Sequence, residues 1–167
     1  MISSDLGTLL GNAPYVVITN GNLIVTENWL SRMLRCAESD PQIAAVISVT
    51  NYASNISIPI AQGANLYGMD SVLAQHSPCN YPDAVTGFGS CTLLRRSALE
   101  DVGWFDEIYD CSYYAYLDLC MRLTAKGYRT VVADNVYLYH QKLTSSQQKR
   151  NVSYQKDKQI FDARWSK

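Results

Sequence analysis

The chain has 167 residues, of which 47% are hydrophobic and 17% are charged, and its formal net charge is −1. This composition is typical of one globular domain with a substantial core, and it excludes a disordered chain. A net charge this small gives no general attraction to nucleic acid, and no apolar run approaches the roughly 20 residues of a membrane span.

The first fifty residues predict two helices and two strands. A short helix is predicted at Asp5–Leu10, and the apolar, β-branched run Tyr15–Thr19 predicts a strand covered on both faces. Thr26 is the predicted cap of a helix from Glu27 to about Glu38. The apolar run Ile43–Val49 predicts a second buried strand.

The middle of the chain is harder to interpret. Residues 50–85 are polar and rich in proline and glycine, which predicts a long irregular segment that helps to choose an acceptor or is mobile. A strand is predicted at Ser90–Leu94. A capping box between Ser97 and Glu100 predicts a short helix that Gly103 ends.

The last third predicts a helix, two short strands and a helical tail. The helix spans Tyr116–Lys126 and ends at Gly127, and the strands span Tyr128–Ala133 and Val136–Tyr139. The tail is predicted to be helical from Ser145 onward. Its predicted apolar anchors are Ile160, Phe161 and Trp165. Since strands and helices alternate, we expect a single α/β domain over 1–167, with a core to about 140 and a tail from 141 to 167.

The positions of the charged residues and of the cysteines bear on where in the cell the chain is located. Residues 141–167 carry seven Lys or Arg against two acids, a local charge of +5. Such a tail is typical of a solvated helix face, and it could also contact phosphates or the periphery of a membrane. The five cysteines have no metal-ligand spacing, and Cys36 and Cys120 fall in predicted helices. We therefore expect a reducing, cytoplasmic location.

Short motifs follow one another along nearly the whole chain. They are Asn20-Gly21-Asn22, Asp40-Pro41-Gln42-Ile43, Gly87-Phe88-Gly89, Val102-Gly103-Trp104-Phe105-Asp106-Glu107, Asp118-Leu119-Cys120-Met121-Arg122, Gly127-Tyr128, Tyr139-His140 and Phe161-Asp162-Ala163-Arg164-Trp165. In this order they resemble the acceptor half of family 2 glycosyltransferases of the GT-A type. The resemblance implies a partial GT-A sandwich, with a mixed sheet flanked by helices, that lacks the first strands and the nucleoside pocket. We expect an exposed sheet edge, covered by a second copy or a partner chain.

The resemblance implies a metal site. Family members hold a divalent cation, Mn²⁺ or Mg²⁺, on a carboxylate turn and a histidine, and the cation neutralises the leaving diphosphate. The matching positions are Asn20, Asn22 and His140. The alternatives are an ordinary Asn-Gly turn and a structural histidine.

The resemblance also places a catalytic base. The family carries Glu-Asp where this chain has Ala115 and Tyr116, neither of which is a base at neutral pH. Asp118 survives two residues on, as a weak catalytic candidate whose alternative role is pairing with Arg122. Asp110 is a further weak substitute.

The last predicted group is an acceptor-side, substrate-binding set. By resemblance it comprises Gly87, Phe88, Trp104, Asp106 and Glu107. The alternatives are a strand start for the glycine pair and a helix-to-loop turn for the acidic pair.

Two functions remain open from the sequence. The first is inverting transfer of a sugar from a nucleotide-sugar to a polysaccharide or other glycan, by a domain that is incomplete or impaired. The second is a non-catalytic relative that binds a glycan or a protein. The donor, the acceptor and the oligomeric state cannot be predicted from the sequence.

Overall fold

The computed structural model describes residues 11–19, 21–52, 56–84, 90–141 and 148–166. The described strands are β1 (Tyr15–Thr19), β2 (Leu23–Ile24), β3 (Ile43–Thr50), β4 (Cys91–Arg95) and β5 (Arg129–His140). The described helices are α1 (Trp29–Glu38), α2 (Leu66–His76), α3 (Arg96–Val102), α4 (Ser112–Ala125) and α5 (Gln148–Trp165). None of these helices is both long enough and apolar enough to cross a bilayer.

The strands form one mixed sheet in the order β1-β4-β3-β5-β2. β3 and β5 pair in parallel at its centre, and β4 pairs antiparallel with both β1 and β3. β2 adds a short antiparallel ladder to the end of β5. This mixed sheet with flanking helices confirms the predicted α/β class.

Side chains of opposite parity on β3 and β4 enter two different cores. Ala45 and Leu94 belong to a cluster with residues of α3 and α4, whereas Val46 and Leu93 belong to a cluster with Met33 of α1. Every residue of β3 is buried, as its continuous apolar run predicted. β1 has only Val16 buried, because among the described residues it pairs on one side only.

Several predicted boundaries are wrong. The capping box does not form, because α3 begins at Arg96 and Ser97 already lies inside it. Thr26 does not cap α1; its buried hydroxyl donates to the Tyr137 carbonyl oxygen at 3.2 Å. The helix predicted at Asp5–Leu10 lies outside the described residues.

The last third differs from prediction in its lengths. α4 starts at Ser112, four residues before the predicted start, and the two predicted short strands are the single strand β5. Gly103 and Gly127 end α3 and α4 with φ of 86° and 83°, as predicted. The tail is helical, and Ile160 and Phe161 pack against the core as predicted.

The segment 50–85 contains a helix that the sequence did not predict. α2 is held against β5 by a buried ion pair, in which Arg32 of α1 donates to both oxygens of Asp70 at 2.9 and 2.7 Å. Asp70 also accepts from the Tyr137 backbone N–H at 2.9 Å, and Arg32 donates to the Asn135 carbonyl oxygen at 2.7 Å. The pair therefore joins α1, α2 and β5.

We expect Asp70→Asn to lower the free energy of unfolding by roughly 3–5 kcal/mol, because it leaves the Arg32 charge buried without its partner. The control is Asp101→Asn, which removes a solvent-exposed pair with Lys126 and should cost less than about 1 kcal/mol. Urea denaturation measures both variants, and equal losses would contradict the assigned role of the buried pair.

Candidate functional site

One edge of the sheet collects the ends of its three co-directional strands. β1, β3 and β5 run the same way, so Thr19, Thr50 and His140 end at that edge. β4 begins there, because Cys91 pairs with Thr19. Chain segments that follow parallel strands are where α/β proteins place their binding groups.

The structure brings two of the predicted metal residues into contact at this edge. Asn22 Nδ2 lies 3.2 Å from His140 Nε2, so the amide donates to the neutral imidazole. The same amide nitrogen donates to the Gln141 carbonyl oxygen, and the Gln141 N–H donates to the Asn22 carbonyl oxygen at 2.9 Å. Pairing of Leu23 with His140 holds this arrangement in the sheet.

Two residues that the sequence analysis did not select complete this group. Asn51 follows β3, and its side chain imitates a strand partner: it accepts from the His140 N–H at 2.6 Å and donates to the His140 carbonyl oxygen at 3.1 Å. Tyr52 is 65% exposed, and its ring stacks on the His140 imidazole with centroids 6.1 Å apart. We call Asn22, Asn51, Tyr52 and His140 the edge cluster.

The edge cluster carries neutral polar groups. Burial lowers the pKa of His140 below its ordinary value, so the imidazole is uncharged at neutral pH. Two amides and an imidazole bring no negative charge, whereas Mg²⁺ and Mn²⁺ select carboxylate-rich oxygen sites. Within the described ranges, no group of three His, Cys, Asp or Glu side chains could hold a metal ion. These residues do not fit a hard divalent cation. Asn20, Gly87 and Phe88 lie outside the described residues.

Both positions expected to supply the base are packed into the core. Ala115 is buried, and Tyr116 packs edge-on against Phe105 with ring centroids 4.8 Å apart. Burial raises the pKa of Tyr116 far above its ordinary value, so its hydroxyl stays protonated. Neither side chain can accept a proton from a hydroxyl at neutral pH.

Asp118 is the centre of a buried polar cluster. Its carboxylate is fully buried and accepts from Arg122 Nε at 2.8 Å, which confirms the predicted pairing. It also accepts from Trp165 Nε1 at 2.9 Å and from the Tyr109 hydroxyl at 3.3 Å, and Arg164 lies 3.1 Å away. These contacts tie α4 to the tail helix α5, so they give Asp118 a structural role.

The acceptor-side residues lie beside that cluster. Asp106 pairs with Arg164 at 2.8 Å; partial burial would raise its pKa, but the Ile108 N–H and Arg164 lower it. Trp104 is half-buried and Glu107 is exposed. The structure thus places Asp106 with Asp118 around Arg164, and separately places Asn22 with His140.

A second carboxylate reaches the start of α4 from the tail. Asp157 of α5 is fully buried and accepts from the Cys111 N–H at 2.5 Å. It stabilises the helix start where no side chain of α4 caps it. The nearby Asp110 is exposed and pairs with Lys156 at 2.8 Å.

The sequence carries a signal for Asn51 and Tyr52, since they directly follow a buried strand. The role of Asp157 is recognisable only in three dimensions.

Comparison with known proteins identifies one family. A family model described as "Glycosyl transferase family group 2" matches residues 24–165. A search of curated proteins finds no match. The family match begins two residues after Asn22, covers Asn51, Tyr52 and His140 of the edge cluster together with the tail helix, and confirms the resemblance drawn from the motifs.

We expect Asp118→Asn to lower the free energy of unfolding by roughly 3–5 kcal/mol, because it leaves the half-buried Arg122 guanidinium without its ion-pair partner. The Trp165 indole N–H signal should shift, since that group donates to Asp118. Denaturation and ¹⁵N NMR measure these effects. Asp162→Asn is the matched control, because Asp162 pairs with Lys158 on the exposed side of α5. An unmoved Trp165 signal would refute the assigned contact.

We expect the NMR titration midpoint of His140 to lie below 6.5 because burial disfavours its charged form. The unfolded chain then takes up the proton first as the pH falls. This contribution to stability is complete above about pH 6.5 and is lost as the pH falls through the folded pKa. His140→Gln should lack this part of the pH dependence, and a midpoint above 6.5 would contradict the prediction.

Proposed function

The chain belongs to glycosyl transferase family group 2, and on that premise we propose that the domain serves transfer of a sugar from a nucleotide-sugar donor to a glycan acceptor, with inversion. The observation that carries the proposal is the contact of Asn22 with His140 at the sheet edge, beside Asn51 and the exposed ring of Tyr52. Protein sites commonly bind sugars and phosphates through amide and imidazole groups and through exposed aromatic rings.

The reaction has a defined balance of bonds. An acceptor hydroxyl oxygen attacks the anomeric carbon, the bond from that carbon to the diphosphate breaks, and the hydroxyl proton passes to a carboxylate, for which the exposed Asp110 is the remaining candidate in this chain. In this proposal the bound diphosphate replaces His140 Nε2 as the acceptor of the Asn22 side-chain N–H, and Tyr52 stacks on a sugar ring. Because the edge cluster contains no carboxylate, the proposed binding of the diphosphate does not include a divalent cation.

A second function is favoured by the burial of the base positions. Ala115 and Tyr116 are core residues, and Asp118 is fully buried in ion pairs. A domain with this arrangement binds substrates without activating an acceptor hydroxyl. The alternative proposal is therefore a non-catalytic family member that binds a glycan or a protein.

The proposal includes a partner at the edge strand. β1 carries no charged residue and no proline, and in the described part of the chain only β4 pairs with it. Edge strands without such protection tend to pair with another strand. A second copy or another chain at β1 would extend the sheet, and sedimentation equilibrium of the purified protein distinguishes the two. A cytoplasmic location belongs to the same proposal.

We expect isothermal titration with UDP, dTDP and GDP to detect binding of at least one diphosphate, without a requirement for Mn²⁺, because the edge cluster has no carboxylate. Asn22→Asp should make that binding Mn²⁺-dependent and at least about tenfold tighter with the metal, since it places a carboxylate beside His140.

The matched control is Gln75→Glu, which adds the same charge on the exposed surface of α2. If the unmodified protein binds a diphosphate only with Mn²⁺, the proposal of metal-independent binding is wrong. If no diphosphate binds under any condition, the donor-binding proposal fails and the non-catalytic function remains.

A further inference from the structure

An open groove of about 560 Å³ lies over the sheet beside α2. It is bounded by the C-terminal half of α2, by the segments around 56–58 and 77–83, and by the central strands. The residues that line it are Val49, Ile56, Ile58, Val72, Leu73, His76, Ser77, Pro78, Pro82, Asp83, Val132 and Asp134. Its volume is within the range of pockets that hold small molecules.

The walls of the groove are mainly apolar and partly open to solvent. Val72 is 57% exposed and Ile58 is 41% exposed, although both are large hydrophobic residues. The groove floor is formed by the buried residues Val49 and Val132 of the central strands. Exposed apolar side chains that converge on one concavity are typical of a binding site.

The wall of the groove contains an incompletely bonded hydrogen-bond acceptor, the Asp134 carboxylate. Asp134 Oδ2 accepts from the Asn80 N–H at 3.2 Å, while Asp134 Oδ1 is buried and has no hydrogen-bond partner among the described residues. A buried carboxylate oxygen without a donor is unfavourable, so a ligand that brings a donor gains free energy.

The charges around the groove select the ligand's head group. Arg129, which pairs with the lining residue Asp83 and with Asp40 at 2.8 Å each, shares its positive charge between two carboxylates. Asp134 adds a further negative charge at the wall. An anionic head group such as a phosphate or carboxylate would be repelled, whereas a hydroxyl group can donate to Asp134 without cost in charge.

The groove and the edge cluster are joined by one strand. Val49 lines the groove, and Asn51 of the edge cluster follows it by two residues, directly after the end of β3. At about 3.3 Å per residue, the two Cα atoms are at most roughly 7 Å apart. One molecule can therefore fill the groove with its apolar part and present a hydroxyl near His140.

We propose that the groove binds the apolar body of an uncharged, hydroxyl-bearing amphiphile, such as an alkyl glycoside, and so sets the class of acceptor. The assignment of this ligand as an acceptor rests on the proposed glycosyl transfer. The binding itself depends on the groove residues and not on the edge cluster.

The test uses octyl β-D-glucoside below its micelle-forming concentration, with methyl β-D-glucoside and octanoate as the other probes. Shifts of the Val, Leu and Ile methyl signals in ¹H–¹³C NMR report both the affinity and the place of binding. We expect octyl glucoside to move the methyl signals of Val49, Leu73 and Val132. Methyl glucoside should not move them, and octanoate should bind more weakly than octyl glucoside.

Variants separate the groove from the rest of α2. Val72→Asp puts a charge into the groove at an exposed position and should weaken octyl glucoside binding at least about tenfold. Tyr67→Asp makes the same change on α2 outside the groove lining, at a side chain that is 66% exposed, and should leave binding unchanged. Asp134→Asn should reduce the difference in affinity between octyl glucoside and octanoate, because it removes a negative charge from the groove wall.

Equal binding by the Val72→Asp and Tyr67→Asp variants, or binding of octanoate as tight as that of octyl glucoside, would overturn the inference. Groove binding with no diphosphate binding would leave this site intact and refute the donor proposal. Diphosphate binding without groove binding would do the reverse.

Discussion

Parallel pairing of β3 with β5 is the constraint on which the other features of this structure depend. The ladder runs from Ile43 to Thr50, but its register shifts where Ser48 pairs with Ala133 and Val49 with Tyr137. The three residues skipped on β5 are then available for other contacts. Asn135 supplies the carbonyl oxygen to which Arg32 donates, and Asp134 lies in the wall of the groove. Once pairing resumes, Asn51 comes opposite His140, which assembles the edge cluster.

The α4 region places core side chains where the resemblance leads us to expect catalytic carboxylates. Carboxylates expected at 115 and 116 are replaced by side chains that pack inside the core, against partners such as Phe105. The carboxylate that remains, Asp118, is surrounded by donors from α4 and α5. Burial of apolar surface stabilises the fold, and a base that must reach a hydroxyl cannot be in the core at the same time.

The edge cluster and the groove share one electrostatic character. Amide and neutral imidazole groups at the sheet edge attract no hard cation strongly, and Asp83 and Asp134 line the groove while the neighbouring Arg129 is already paired with carboxylates. The uncharged, hydroxyl-bearing parts of a ligand therefore suit both places. Sugars and alkyl glycosides are of this kind, since they combine donor hydroxyls with apolar surface, and the exposed ring of Tyr52 adds a surface on which such ligands stack.

The family, the α/β class, the buried strand β3 and the tail helix follow from the sequence, because motif order and apolar runs are local properties of the chain. The contact of Asn22 with His140 was expected only through resemblance, since 118 residues separate the two. Tertiary structure alone decided the rest. α2 has a weak apolar pattern and is held by the Arg32–Asp70 pair, while Asp118 is enclosed by the tail helix α5, which begins thirty residues later at Gln148. Ion pairs between distant segments leave no periodic signal in a sequence, because their stability comes from burial that only the folded chain provides.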